Sequence, residues 1–186
     1  VPAGLEVTLR VVRAGQELAQ QRGTVGPDRR FAFRDMPVGE GLSYLVTTEY
    51  TGAPYTAVVE DPSVPVKLTV YESTPSTEGL RIGGHTVVVT GATKAGGLVV
   101  FELAAVENTG DRTIVPDLGA ARGMADLPRF ALPAGARALD VASNLRGGSF
   151  LQVDRGFALT SAVPPGRHEV SFSYRLPYSG STANLD

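Results

Sequence analysis

The feature that most limits what this chain can fold into is a two-residue rhythm of apolar side chains. It is clearest near the end of the chain. Val170, Phe172, Tyr174 and Leu176 fall on one side of an extended backbone, and Glu169, Ser171, Ser173 and Arg175 fall on the other. Successive side chains of a strand point to opposite faces, so this pattern reads as a strand with one face buried. Leu5, Val7, Leu9 and Val11 alternate in the same way with Glu6, Thr8 and Arg10. So do Tyr44, Val46, Thr48 and Tyr50 with Leu45, Thr47 and Glu49, and Val64, Val66, Leu68 and Val70 with Pro65, Lys67 and Thr69.

Between these runs lie turn-forming residues. Gly26-Pro27-Asp28, the loop 35–41, Thr51-Gly52 and Glu60-Asp61-Pro62-Ser63 punctuate the first part. Gln16 to Val25 is more polar and reads as an edge strand. Phe31 and Phe33 point to one face with Ala32 between them. Pro65 lacks a donor, which puts its strand at an edge. In the second part, Val87, Val88 and Val89 suggest a strand with both faces covered. Leu98 to Glu107 is the longest apolar run. Phe101, Leu103 and Ala105 fit a strand face, while Leu98, Phe101 and Ala105 also fit a helical one. The β-branched Val99, Val100 and Val106, with turn residues on either side, favour strand. Residues 114–128 lack a period and read as a long loop. Leu139 to Val141 reads as a strand, and 150–153 with 157–160 as a hairpin around Asp154-Arg155-Gly156.

One stretch breaks the composition. Residues 71–79, Tyr-Glu-Ser-Thr-Pro-Ser-Thr-Glu-Gly, hold only small, polar and turn-forming residues after the first tyrosine. Short strands split by Gly/Pro turns on both sides of it predict an all-β chain of two tandem β-sandwich domains, 1–73 and 79–186, joined by a short polar linker.

Composition removes several function classes. Residues 1–73 carry seven Arg or Lys against nine Asp or Glu, and 74–186 carry ten against ten, for a net charge of −2. Neither part has the basic stripe that nucleic acid requires, so no nucleic-acid partner is expected. The absence of cysteine removes disulfides, thiolate metal sites and cysteine nucleophiles. No apolar run reaches the ~20 residues of a membrane-spanning helix, so no span is expected. The chain opens in a strand and ends in a polar tail, which reads as a trimmed piece of a longer protein. Low Lys with high Arg, Ala, Gly and Val usage suggests a GC-rich, bacterial genome.

Two resemblances narrow the reading. Asp28-Arg29-Arg30-Phe31-Ala32-Phe33, Met36-Pro37-Val38-Gly39 and Tyr44-Leu45-Val46 make residues 1–72 resemble the carboxypeptidase regulatory-like module. That family is a small transthyretin-like β-sandwich without peptidase chemistry of its own. The family has glycine where Arg29 stands, so the turn there is expected to differ. Ala105-Val106-Glu107-Asn108-Thr109-Gly110-Asp111 and Pro165-Gly166-Arg167-His168-Glu169-Val170 are similar to the immunoglobulin-like accessory modules of bacterial surface and periplasmic proteins. Together these resemblances imply an extracytoplasmic setting, periplasmic or cell-surface.

Candidate chemistry is sparse. His85, His168 and Met124 form a soft-metal set if they converge. Glu60-Asp61, Glu107 with Asp111, and Asp117 with Asp126 are the paired carboxylates, too widely spaced for a calcium loop. Residues 91–97 look like a phosphate loop but lack its Gly-Lys-Ser/Thr ending. No hydrolase signature is present. Sugar binding calls for exposed aromatic platforms. Tyr44 and Tyr50 read as core, and Tyr55, Tyr71 and Tyr178 are the candidates for exposure. Arg122, Met124 and Leu127 of the long loop are candidate partner anchors. The expectation is a non-enzymatic structural or interaction module without a cofactor, part of an envelope, surface or membrane-anchored assembly. Its partner is a protein, including another copy of itself. The alternative is a ligand-binding module for carbohydrate or a soft metal such as copper.

Overall fold

The computed structural model describes residues 1–91, 97–117, 127–147 and 149–178. These form thirteen strands and no helix, so the chain is all-β, and no helix is long and apolar enough to cross a membrane. The chain divides into two compact units, Val1–Ser73 and Thr74–Asp186, and the division falls inside the polar stretch 71–79.

The first unit holds one antiparallel sheet. Its strands are β1 (Glu6–Arg13), β2 (Gln16–Thr24), β3 (Leu42–Tyr50) and β4 (Ala53–Val59), in the order β2-β1-β3-β4. The alternation seen in the sequence is the alternation of burial. Val7, Leu9, Val11, Tyr44 and Val46 are buried and their neighbours are more exposed. The polar β2 lies at an edge, as its composition implies. Two-residue turns join β1 to β2 and β3 to β4. Ala14 and Gly15 have φ of 47° and 83°, and Thr51 and Gly52 have 48° and 79°. Two positive angles in succession match the twist of an antiparallel hairpin.

One expected strand of this unit, 64–70, is not a strand. Residues 65–70 keep the alternation, though Val64 is exposed: Leu68 is buried and Val66 and Val70 are half-buried, while Pro65, Lys67 and Thr69 are exposed. They nevertheless form no ladder. Pro65 has no N–H to donate, and burial of one face does not require a hydrogen-bonded neighbour. Phe31 and Phe33 likewise share a half-buried face, their rings 5.9 Å apart, outside any strand. Arg29 closes a turn on Gly26. It takes the conformation glycine favours, with φ of 62°, and its N–H donates to Gly26 O at 2.9 Å.

The second unit contains two main sheets. β6 (Leu80–Thr90), β7 (Gly97–Asn108), β10 (Arg137–Ser143) and β13 (Gly166–Pro177) are antiparallel in the order β10-β13-β7-β6. β9 (Arg129–Ala131), β11 (Phe150–Val153) and β12 (Gly156–Leu159) are ordered β11-β12-β9. Short pieces β5 (Ser73–Thr74) and β8 (Thr113–Ile114) complete the set, with Val115 N–H donating to Thr74 O. Phe172 of β13 meets Phe130 of β9 at 5.5 Å and Phe157 of β12 at 5.0 Å between ring centres, so the two sheets share one aromatic core. Edge-on contacts of this kind contribute ~1 kcal/mol each beyond their burial. β12 can approach β9 this closely because residue 156 is glycine, where an added Cβ would lie 1.9 Å from Phe130 O. Asn108, buried at the end of β7, holds the turn after it. Its Nδ2 donates to Arg112 O at 2.8 Å and Val163 O at 2.9 Å, and its Oδ1 accepts from Gly110 N–H at 3.0 Å.

Candidate functional site

The three consecutive valines of β6 do not have both faces covered. Val87, Val88 and Val89 are 46%, 46% and 44% exposed. The reason is strand order: among the described residues β6 pairs only with β7, so it is an edge. The smaller sheet covers β7 and β13, and of β6 only Leu80 packs against the core. Residues opposite one another on paired strands share a face. Val87 and Val89 lie opposite Glu102 and Val100, on the core side, whereas Val88 lies opposite Phe101, on the outer side. Phe101 itself is 43% exposed. In β7 it is Val100, Ala104 and Val106 that enter the core, while Phe101, Leu103 and Ala105 form the outer row.

Other sheet edges carry the usual protection against pairing. β2 is lined with Glu, Gln and Arg, β4 carries Pro54, and β10 carries Arg137 and Asp140 around a register irregularity. β9 and β11 are three and four residues long. β6 runs for eleven residues. A bulge at Ile82/Gly84 disturbs its first half, where the Glu107 carboxylate lies over Gly83. From His85 to Thr90 it is regular, without Pro, Lys, Arg, Asp or Glu.

Beneath this edge lies a carboxylate that sequence reasoning did not single out. Glu102 is 6% exposed. Its Oε1 accepts from Tyr174 O–H at 2.6 Å, and its Oε2 lies 2.6 Å from His85 Nε2. Burial, then the Glu102 hydrogen bond and charge, push the Tyr174 hydroxyl well above its ordinary value, so it remains a donor. A buried carboxylate is tolerated only with such partners. The signal was visible: Glu102 is the one charge on a strand face shared with Val100, Ala104 and Val106. On the outer face Glu107 is flanked by Arg81 of β6 at 3.2 Å and Arg167 of β13 at 3.5 Å. Both arginines are well exposed, so these pairs contribute little.

Among the described residues, the sequence-derived candidates do not assemble into a metal site. His85 binds Glu102, and His168 Nε2 donates to Pro164 O at 2.8 Å. They sit on strands flanking β7 on opposite sides, and Met124 lies outside the described residues. No group of three His, Asp or Glu residues that could hold a metal occurs among the described residues. Asp61 caps its own turn, accepting from Ser63 N–H at 2.8 Å and Ser63 O–H at 2.7 Å, which lowers its proton affinity. Glu107 serves the arginines, and Asp126, Arg122 and residues 92–96 lie outside the described residues.

No tyrosine forms an exposed platform; all six are buried or half-buried. Tyr55, one of the candidates for exposure, is 6% exposed and donates its hydroxyl to Tyr71 O at 3.0 Å. Tyr44 donates to Pro37 O, and Tyr50 to Glu72. The first unit does have an open groove of about 780 Å3, between the sheet and the two strips without ladder pairing. Phe31, Phe33, Met36, Tyr44, Val64 and Val66 line it, with Arg29 and Arg30 at its side.

No family model matches the chain, and no curated protein or solved structure matches it.

Proposed function

We propose that this chain is a non-enzymatic structural and interaction module of a larger assembly, two β-sandwiches in tandem that present strand edges to a protein partner. The observation that carries the reading is the edge of β6, with six regular residues free of charged or proline gatekeepers and three half-exposed valines. An open edge offers unpaired backbone groups, and a partner strand satisfies them by adding to the sheet. The non-enzymatic part is supported by how the ionisable groups are used: His85, Glu102 and Tyr174 satisfy one another, and His168 and Asp61 bind local backbone. Resemblance to regulatory-like and immunoglobulin-like modules supports an accessory role outside the cytoplasm of a bacterium.

A photo-reactive residue at position 88, on the outer face of β6, tests the reading in cells that make the protein. One dominant cross-linked protein species is expected, absent when the probe is moved to position 17 on the polar edge β2. Equal, diffuse labelling from both positions would remove the edge as an interaction site. A ligand-binding reading has one observation in its favour, the apolar groove of the first unit. Its lining suits an apolar or aromatic ligand better than a sugar, and an environment-sensitive apolar dye with a Phe31→Ser control tests it.

A further inference from the structure

Resting on the interaction reading above, we infer that the partner of β6 is a second copy of the same chain, joined through an antiparallel, two-fold β6–β6 ladder centred on Val88. The sequence of the free edge is the reason. Thr86-Val87-Val88-Val89-Thr90 reads the same in both directions. An antiparallel pair about a two-fold axis at Val88 places Val88 against Val88, Val87 against Val89, and Thr86 against Thr90 of the other copy. Every cross-strand pair is then either two valines or two threonines, both of which suit a pleated surface. No like charges meet, because residues 86–91 contain none.

The ladder works whichever backbone groups of β6 point outward. Only alternate residues of an antiparallel strand bond to a given neighbour. If Val88 is among the outward-pointing set, the pairs at 86, 88 and 90 bond; if not, those at 87 and 89 do. Either case supplies about four to six hydrogen bonds. Both faces continue across the joint. On the outer face Phe101 lies opposite Val88, so the order Phe101, Val88, Val88, Phe101 makes one apolar row across four strands. On the core side Val87 and Val89, which the smaller sheet leaves half exposed, cover each other.

Symmetry also limits the assembly. A two-fold contact uses the same patch on both copies and closes at two. The polar, short or proline-bearing edges elsewhere do not continue it into a fibre. A ladder this short buries less than the ~1,200 Å2 of a standard stable interface. The dimer is therefore expected to dissociate on dilution.

The test uses the full chain, which has no cysteine of its own. Sedimentation velocity over a wide concentration range is expected to show a monomer–dimer equilibrium that Val88→Lys abolishes with an unchanged circular dichroism spectrum. Register is read by single cysteines. Opposed Cα atoms of an antiparallel pair stand ~4.5–5.5 Å apart, within disulfide reach. Val88→Cys is expected to form a disulfide dimer on mild oxidation. Thr86→Cys alone is not, because the two positions 86 lie four residues out of register, ~13 Å apart. Val87→Cys and Val89→Cys chains are expected to cross-link when mixed and not when oxidised separately.

A monomer at every concentration, open-ended aggregation, or cross-linking at 86 as fast as at 88 would overturn the inference. The broader reading fails separately. If the chain stays monomeric while the position-88 probe captures a different protein in cells, the homotypic ladder falls and the interaction edge stands. If the probe also captures nothing, both fall.

Discussion

Arg29 shows how one residue can carry a cost that its neighbours absorb. A side chain held at φ of 62° is strained by roughly 1–2 kcal/mol, which glycine avoids. Glycine adds unfolded-state freedom of ~0.5–1 kcal/mol, so the two effects partly cancel. Arg29→Gly is expected to raise stability by up to ~1 kcal/mol, read as a higher urea midpoint at unchanged slope. Asn108 has the opposite sign. Alanine there removes the bonds to Arg112 O, Val163 O and Gly110 N–H at a site 3% exposed, although Val163 O keeps the Ile114 N–H at 3.0 Å. Asn108→Ala is expected to cost ~1–3 kcal/mol, the range for losing a buried hydrogen-bonding group. Asn108 was visible in the sequence as a turn residue; its burial was not, because Val163 lies 55 residues away.

At the scale of strands, the cluster of His85, Glu102 and Tyr174 ties β6, β7 and β13 together on the core side. Its pH dependence follows from Tyr174. The folded state holds the Tyr174 proton more tightly than the ordinary value of 10.0. Stability from this group is thus fully present below pH 10 and is lost as pH rises from there toward the folded value. In that window it falls by up to ~1.4 kcal/mol per pH unit. Tyr174→Phe is expected to lower stability at neutral pH by ~1–3 kcal/mol, by taking a donor from Glu102. It is also expected to flatten the alkaline decline. Urea titrations at several pH values above and below 10.0 check both. An unchanged alkaline slope in the variant would show that the hydroxyl does not carry it. Elements also show where alternation misleads. Residues 64–70 and β3 look alike in sequence, yet only β3 has a hydrogen-bonded strand on each side.

For the whole molecule, two compact units with separate cores predict two unfolding events. Calorimetry of the full chain is expected to resolve two transitions. Asn108→Ala should lower one and leave the other in place, and Arg29→Gly should raise the other alone. A single transition shifted by both substitutions would show that the units unfold as one.

The sequence by itself determined the class of structure and much of its inside and outside. A period of two can be read from neighbours along the chain, and it marks a face. Hence Val7, Leu9 and Val11, Tyr44 and Val46, and Val170, Phe172, Tyr174 and Leu176 are buried where the alternation put them. The polarity of β2 likewise marked an edge. What the tertiary structure decided is which strand lies beside which. Val87, Val88 and Val89 have the composition of a covered strand and stand at an edge, because an apolar run reads the same with one neighbour as with two. Glu102 meets Tyr174 across 72 residues only through the register of β7 and β13. Side-chain chemistry along the chain marks faces; long-range pairing decides order and register, and with them where the open edge lies.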